Sequence, residues 1–411
     1  MDDARQTGAA RPLPSILTKQ TDTRDVLARA ARQKRDRKLD DYLIVDVDAH
    51  HFETQSWGEI VEYIPDPVIR DIAKSFRTNG RLNAGLINTS SWPAHQGLGG
   101  RLAHDGGYEE DVDDTSVHRE VVIARRAIES MGIDYQVMFP TPMLGLGMHP
   151  ELDVEVAVSR GYNRWLCERI LPYDKRIKTL IFLPFNDPPA CEEFVEEFGE
   201  KEGVVGFMVT SVRYKPVHHN SYMRLYAMLQ ERGLPLSFHG GPYWGASEGF
   251  LRQVNRFLSA HALSFPLSNM VHLANWVMNG LNERFPKLPV VWIEAGIAWL
   301  AFMTMRFDNE YLMRSSEAPA LKRLPSEYMK EMYYTSQPME LTNMELLEAT
   351  FKAFNAESQL LYASDWPHWD FDVPSTITDL PFLTEEAKRN ILGRNAQKIF
   401  KLSKETRSCV T

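Results

Sequence analysis

Cysteine is scarce in this sequence. Only Cys167, Cys191 and Cys409 occur among 411 residues, far apart and with no CxxC or Cys/His finger spacing. A sparse, odd set argues against a disulfide framework and a zinc-finger module, and it suits a reducing compartment, so the expected location is the cytoplasm. A basic excess is missing too. Lys and Arg number 46 against 55 Asp and Glu, for a net charge of -9. Nucleic acid is therefore not an expected partner, because phosphate binding calls for a basic face. No apolar run approaches the roughly 20 residues of a membrane span, so no membrane is expected. The first forty residues are polar and charged, without the apolar core of a signal peptide. No Gly-rich phosphate loop follows the first apolar run, which counts against a dinucleotide-binding fold.

What is present is an ordinary apolar fraction, 44%, spread over short runs. A chain of this length buries a substantial core without covalent staples. Eight apolar runs recur: Tyr42–Asp48, Tyr135–Phe139, Lys178–Leu183, Val204–Val209, Pro235–His239, Pro289–Glu294, Met332–Thr335 and Gln359–Ser364. Continuous rather than alternating apolar character marks strands buried on both faces of a parallel sheet. Helical patterns separate most of the runs, for example Val154–Glu168, Ala190–Lys201 and Asn220–Arg232. Eight strands alternating with helices predict an α/β fold, a distorted (β/α)8 TIM barrel over residues 41–402. About 85 residues separate the first two runs, far more than a crossover helix needs, so residues 52–114 are expected to form a lid-like insertion. Residues 1–40 form a separate arm, helical and strongly basic over TRDVLARAARQKRDRK. The arm either lies along the barrel, reaches a neighbouring subunit or stays solvated. Residues 403–411 are a tail.

Barrel active sites lie at the C-terminal ends of the strands. The first run ends in Asp46-Val47-Asp48-Ala49-His50-His51-Phe52-Glu53, the fifth in His239-Gly240-Gly241, the sixth in Glu294 and the eighth in Asp365-Trp366-Pro367-His368. Residues i and i+2 of a strand share a face, so Asp48 and His50 both face the barrel mouth. Imidazole and carboxylate ligands converging from several strands suit a divalent metal such as Zn, Mn or Fe. Taken singly, each residue has a plainer reading. A strand-end His is commonly just hydrogen-bonded, and Asp365 fits a helix N-cap. Their coincidence at independently placed strand ends favours a metal site of Asp48, His50, His239 and Asp365, with Glu53 as a further candidate ligand. Glu294 is either a base, an added ligand or the partner of an Arg such as Arg306. His272 reads as a packed residue. His218 and His219 lie near the rim, and His95, His104, His118 and His149 have no evident partner. Trp244, Trp366, Trp369 and Phe371 either wall the pocket or simply pack.

The segments DAHHFE, LPLSFHGG, NGLNERFPKLPVVWIEAG, LLYASDWPHWD and ILGRNAQKIFKL resemble the amidohydrolase-related metal-dependent enzymes, in the branch that includes relatives of aminocarboxymuconate semialdehyde decarboxylase. The resemblance covers roughly residues 42–402 and implies a distorted TIM barrel. It implies that the acid-x-His pair is Asp48 and His50, the fifth-strand ligand His239 and the eighth-strand acid Asp365. Two positions depart from the family pattern. Asp48 stands where classical members carry His. Glu294 stands where the decarboxylases usually carry an acid/base His, which weakens a decarboxylase reading.

Three functions follow as expectations. The first is hydrolysis, or a related lyase step, on a small organic acid, amide or ester, with Asp365, Glu294 and His368 as the catalytic set. The surplus of candidate ligands, His51, Glu53 and His368 included, also fits one or two metals per chain. The second function is thus a dinuclear iron or iron–manganese oxygenase acting on a small aliphatic or amino-acid substrate, as the resemblance implies for some relatives. The third is a non-catalytic barrel subunit of a hetero-oligomer; separately, a homo- or hetero-oligomer with related chains is expected.

Overall fold

The computed structural model describes residues 17–403, apart from 19, 76, 79–80, 83–106, 110–111, 211, 213, 240–253 and 255. Eight parallel strands follow one another in chain order around the sheet: β1 Val45–His51, β2 Tyr135–Pro140, β3 Ile177–Phe182, β4 Val204–Val209, β5 Leu236–His239, β6 Val290–Ile293, β7 Tyr333–Thr335 and β8 Leu360–Leu361. The sheet closes on itself. Val47 N donates to Tyr362 O at 3.1 Å, Asp365 N to Asp48 O at 2.7 Å and His50 N to Trp366 O at 2.5 Å. The fold is therefore the expected (β/α)8 barrel. Each strand overlaps one of the eight apolar runs, because burial on both faces leaves no room for polar alternation, and β1 runs on three residues past its run to His51. Strand β8 is shorter than its run. Beyond Leu361 the chain bends, Asp365 takes a positive φ of 60°, and its backbone bonds to β1 through single contacts rather than a regular ladder.

The longer helices between strands are α1 Thr23–Asp36 ahead of the barrel, then α2 Arg119–Met131, α3 Leu152–Arg169, α4 Pro188–Phe198, α5 Met223–Arg232, α6 Phe257–Met278, α7 Ala298–Arg314 and α8 Met344–Ala353. Helix α1 lies along the barrel. Asp22 caps its first turn, and Leu27 and Ala30 are buried on its inner side. Arg126 of α2 donates to Thr23 Oγ1 at 3.1 Å, and Lys34 donates to the Glu129 carbonyl at 3.2 Å. Few apolar residues suffice because basic side chains bridge the two helices, Lys34 from α1 and Arg126 from α2.

After β1 come short helical turns, a helix over Pro67–Ser75 and a two-stranded ribbon of Arg77–Thr78 with Arg81–Leu82. Residues 83–106 of the expected lid, and Trp244, His95, His104 and Cys409, lie outside the described residues. Where the chain is next described, Tyr108 stacks 6.4 Å from Trp366, and its carbonyl accepts from Gln55 Nε2 at 3.1 Å. Among the described residues, no helix is long and apolar enough to cross a membrane.

Candidate metal centre

Strand β1 carries an irregularity between Asp46 and Ala49: three steps on β1 face two on β2. Such a bulge re-aims the side chains beyond it. Asp48 and His50 turn into the barrel mouth, and both are fully buried. There His50 Nε2 lies 3.1 Å from Asp48 Oδ1, 3.4 Å from Asp365 Oδ1 and 3.2 Å from His239 Nε2. His239 Nε2 in turn lies 2.8 Å from Glu294 Oε2 and 3.7 Å from Asp48 Oδ1. The ends of four strands, β1, β5, β6 and β8, thus bring Asp48, His50, His239 and Glu294 into one group, with Asp365 joining it through His50.

Hydrogen bonding outside the cluster orients these groups. His50 Nδ1 contacts the Pro140 carbonyl at 3.0 Å. Because a carbonyl only accepts, Nδ1 donates there, which leaves Nε2 as the nitrogen that faces the cluster. This is the usual support of a metal-bound imidazole. Asp365 Oδ1 bonds His368 Nδ1 at 2.6 Å, and its Oδ2 accepts from Gln337 Nε2 at 3.2 Å. His368 Nε2 meets Thr141 Oγ1 at 3.2 Å, so both its ring nitrogens are engaged. Below the cluster, Asp46 accepts from Ser364 N, Ser364 Oγ and Gln136 Nε2 at 2.8, 2.6 and 3.2 Å. Glu294 N donates to Thr335 Oγ1 at 3.0 Å. Glu294 and Asp365 both adopt positive φ, 51° and 60°. That conformation costs about 1–3 kcal/mol for a non-glycine residue, and such strain collects at functional sites.

The electrostatics call for a cation. Asp48, Glu294 and Asp365 are buried together, and both Asp48 oxygens lack a hydrogen-bond partner. An orphaned buried carboxylate is costly unless an ion neutralises it. Burial works to lower the His239 pKa, but Glu294 and Asp48 outweigh it and hold it at about 9. Burial, with Glu294 and other acids adding to it, pushes the Asp365 carboxyl well above its usual range. Two imidazoles and three carboxylates are ligand types that a hard or borderline divalent ion takes, displacing the protons they share. The residues present fit a metal.

Several sequence candidates fall elsewhere. Glu53 does not join the cluster. Its Oε2 accepts from Thr141 N at 3.0 Å and its Oε1 from Met143 N at 2.6 Å, so it fixes the turn after β2. Burial raises its pKa to about 8. His51 points outward, as the residue after an inward His50 must; its Nε2 bonds Tyr162 Oη at 2.8 Å, and its ring stacks on Tyr162 and Trp165. Glu294 does not pair with Arg306, which instead meets Glu310 on the surface of α7. His368 stands behind Asp365. His118 and His219 cap helical turns through their ring nitrogens, and His272 is buried against Phe238. Asp46, Thr141 and Gln337 support the cluster but were not singled out from the sequence. For Asp46 a signal existed: it lies two residues before Asp48.

A closed barrel with a His/Asp/Glu cluster able to hold a metal at its strand ends is the architecture of the metal-dependent hydrolases and their lyase relatives. The chain belongs to the amidohydrolase family, whose sequence model matches residues 114–402. It is 22% identical to gamma-resorcylate decarboxylase of Polaromonas sp. over 256 residues, 60% of this chain and 77% of that protein. A gamma-resorcylate decarboxylase of Rhizobium sp. is 21% identical over 268 residues, 62% of this chain and 79% of the other. Among solved structures, 5-carboxyvanillate decarboxylase of Sphingomonas paucimobilis matches with a TM-score of 0.64 at 17% identity, covering 88% of this chain and all of that one. Dihydroxybenzoic acid decarboxylase of Polaromonas sp., solved with manganese and the inhibitor 2-nitroresorcinol, matches with a TM-score of 0.58 at 17% identity, over 89% and 98%.

Proposed function

We propose that this chain is a lyase using one divalent metal to decarboxylate a small aromatic acid. The observation that carries the reading is a pair of buried ligand-type groups that share His50: Asp48, His50, His239 and Glu294 on one side, and His50, Asp365 and His368 on the other. One metal, rather than two, accords with Glu53 and His51 being engaged elsewhere. The named relatives are decarboxylases of aromatic acids, which supports the reaction class.

A divalent ion in this cluster would supply Lewis acidity, drawing electron density from a carboxyl group and the ring that bears it. Asp48, His50, His239 and Asp365 would hold the ion, with Glu294 able to add a fifth bond. In decarboxylation the carbon–carboxyl bond breaks and its electron pair stays on the ring carbon, which needs a proton. Asp365 is the acid nearest that position. His368 and Gln337 fix its two oxygens, which orients the carboxyl for that transfer. Loss of CO₂ then leaves Asp365 ionised until water reprotonates it.

Hydrolysis is the second reading, and Glu294 is what favours it. A carboxylate 2.8 Å from His239 Nε2 is placed to take a proton from a water attacking an acyl carbon. The test is one incubation of manganese-loaded protein with 2,6-dihydroxybenzoate, 5-carboxyvanillate and their methyl esters and amides. Release of CO₂ with the matching phenol supports the lyase. Ester or amide cleavage without CO₂ replaces it with the hydrolase. Turnover of none, by protein containing stoichiometric metal, removes both substrate assignments.

A further inference from the structure

Helix α6 runs 22 residues, Phe257–Met278, without one Asp, Glu, Lys or Arg. A helix that is apolar all round belongs inside a protein. One face of α6 is inside: Ala260, Phe265, Leu273 and Trp276 are buried. The other face is not. Leu258, Leu263 and Val271 are exposed, Leu258 to 74%. Helix α7, the next around the barrel, packs beside α6 and repeats the pattern. Its Trp299, Leu300, Met303 and Thr304 are buried. On the opposite side Phe302, Met305, Leu312 and Met313 are exposed, Met305 to 77% and Leu312 to 72%.

Spacing on α7 shows what such a face fits. Phe302, Met305, Asn309 and Leu312 stand three, four and three residues apart, the period by which one helix seats its side chains between those of another. The exposed large side chains of the two helices amount to apolar surface on the order of 800 Å², the share that one partner gives to a standard interface. The largest apolar patch on a monomer is usually about 300–600 Å². Charges at the flank of the α7 stripe close on themselves. Arg306 Nη1 meets Glu310 Oε1 at 3.4 Å, and Arg314 pairs with Glu317. The face is thus near neutral on a chain of net charge -9, so two acidic copies can meet there without like-charge repulsion. A helix that lies on a membrane instead carries free Lys and Arg beside its apolar stripe.

We propose that the outer face of α6 and α7 is the interface through which two copies of this chain form a twofold dimer, the same patch on each. Two such faces packed together make a layer of four helices. Asn309 is the polar position in the α7 stripe, and one polar residue in an apolar seam fixes the register of the pair. The helices follow β5 and β6, so the interface braces the two strands that lead into His239 and Glu294.

The test is sedimentation equilibrium of the manganese-loaded full chain, wild type beside the double variant Met305→Glu with Leu312→Glu. Both positions face solvent in the single chain, so the variant keeps the buried contacts of α7. The wild type is expected to sediment at twice the mass of one chain. The double variant is expected to raise the dissociation constant of the dimer at least about 100-fold, with metal content and far-UV circular dichroism unchanged. Leu258→Glu with Val271→Glu gives the same readout on α6 should the first variant fail to fold. A dimer of wild-type strength in either folded variant overturns the assignment of this face. A wild type that stays monomeric at micromolar concentration overturns the second copy as its occupant, and flotation of that monomer with phosphatidylcholine vesicles would make the face a membrane surface instead.

Discussion

Asp46 and Ser364 clamp the two strands that carry the cluster. The Asp46 carboxylate on β1 accepts the Ser364 backbone N–H at 2.8 Å and its hydroxyl at 2.6 Å, and Ser364 immediately precedes Asp365. The Ser364 hydroxyl oxygen also accepts from Trp366 N at 3.0 Å, holding the chain that turns Asp365 into its positive φ. Burial drives the Asp46 carboxyl up to about 7 despite these bonds. Asp46→Asn replaces one acceptor oxygen with a donor facing the Ser364 hydroxyl or N–H. The expected result is a loss of about 1–3 kcal/mol in stability and of about 10–100-fold in manganese affinity. Urea titration and metal competition against a chromogenic chelator measure the two. Wild-type manganese affinity in this variant would show that the clamp does not position the ligands.

Metal removal gives the second prediction. Asp48, Glu294 and Asp365 crowd His50 and His239, so without an ion these ligand-type groups have to share protons in a buried site. Dialysis against a chelator should lower the thermal midpoint, and manganese should restore it. At free metal 100 times the dissociation constant the gain is about 2.7 kcal/mol. Elemental analysis should return about one equivalent per chain, and His239→Ala should remove both the metal and the metal-dependent rise. Two tightly held equivalents would reinstate a dinuclear centre.

Much of this was legible in the chain itself, for reasons that differ by element. All eight strands stand out because a barrel strand is buried on both faces, and Val204–Val209 matches its run residue for residue. Asp48, His50, His239 and Asp365 stand out because strand ends are where barrel chemistry lies. Glu53 was misplaced because its position depends on the turn after the β1 bulge, which sends its oxygens to backbone N–H groups of the next βα loop. No residue pattern encodes that turn. The Asp46 contact was readable from the same two-residue strand period that pairs Asp48 with His50. Thr141 and Gln337 were not, since their contacts depend on how separate loops meet above the barrel.

His272 sets a pH window for stability. It is buried on α6, and burial alone lowers its pKa from 6.5 to about 4. The unfolded chain therefore takes up a proton at a pH where the folded one does not. Stability is unaffected by this residue above about pH 6.5 and falls as the pH drops towards 4, by up to about 3 kcal/mol. His272→Phe keeps a ring against Phe238 and removes the titrating group. Urea midpoints between pH 7 and 4 should fall less steeply in this variant than in the wild type. Parallel curves would mean that His272 contributes nothing to acid sensitivity.

Glu294→Gln separates the two reactions open to this site. The substitution preserves shape and positive-φ backbone but removes the charge that faces His239 at 2.8 Å. In decarboxylation the proton is delivered by Asp365, so Glu294→Gln should lower kcat only modestly once manganese is saturating, with any loss appearing as weaker metal binding. In hydrolysis Glu294 takes the proton of the attacking water, and general-base catalysis is typically worth about 10²–10⁴-fold in rate. The variant would then lose that factor in kcat with its metal retained, together with the acidic limb of the pH–rate profile. Asp365→Asn is expected to abolish decarboxylation, so the pair of variants reads out which carboxylate handles the proton. A metal-replete Glu294→Gln enzyme with a hundredfold lower kcat would move the assignment from lyase to hydrolase.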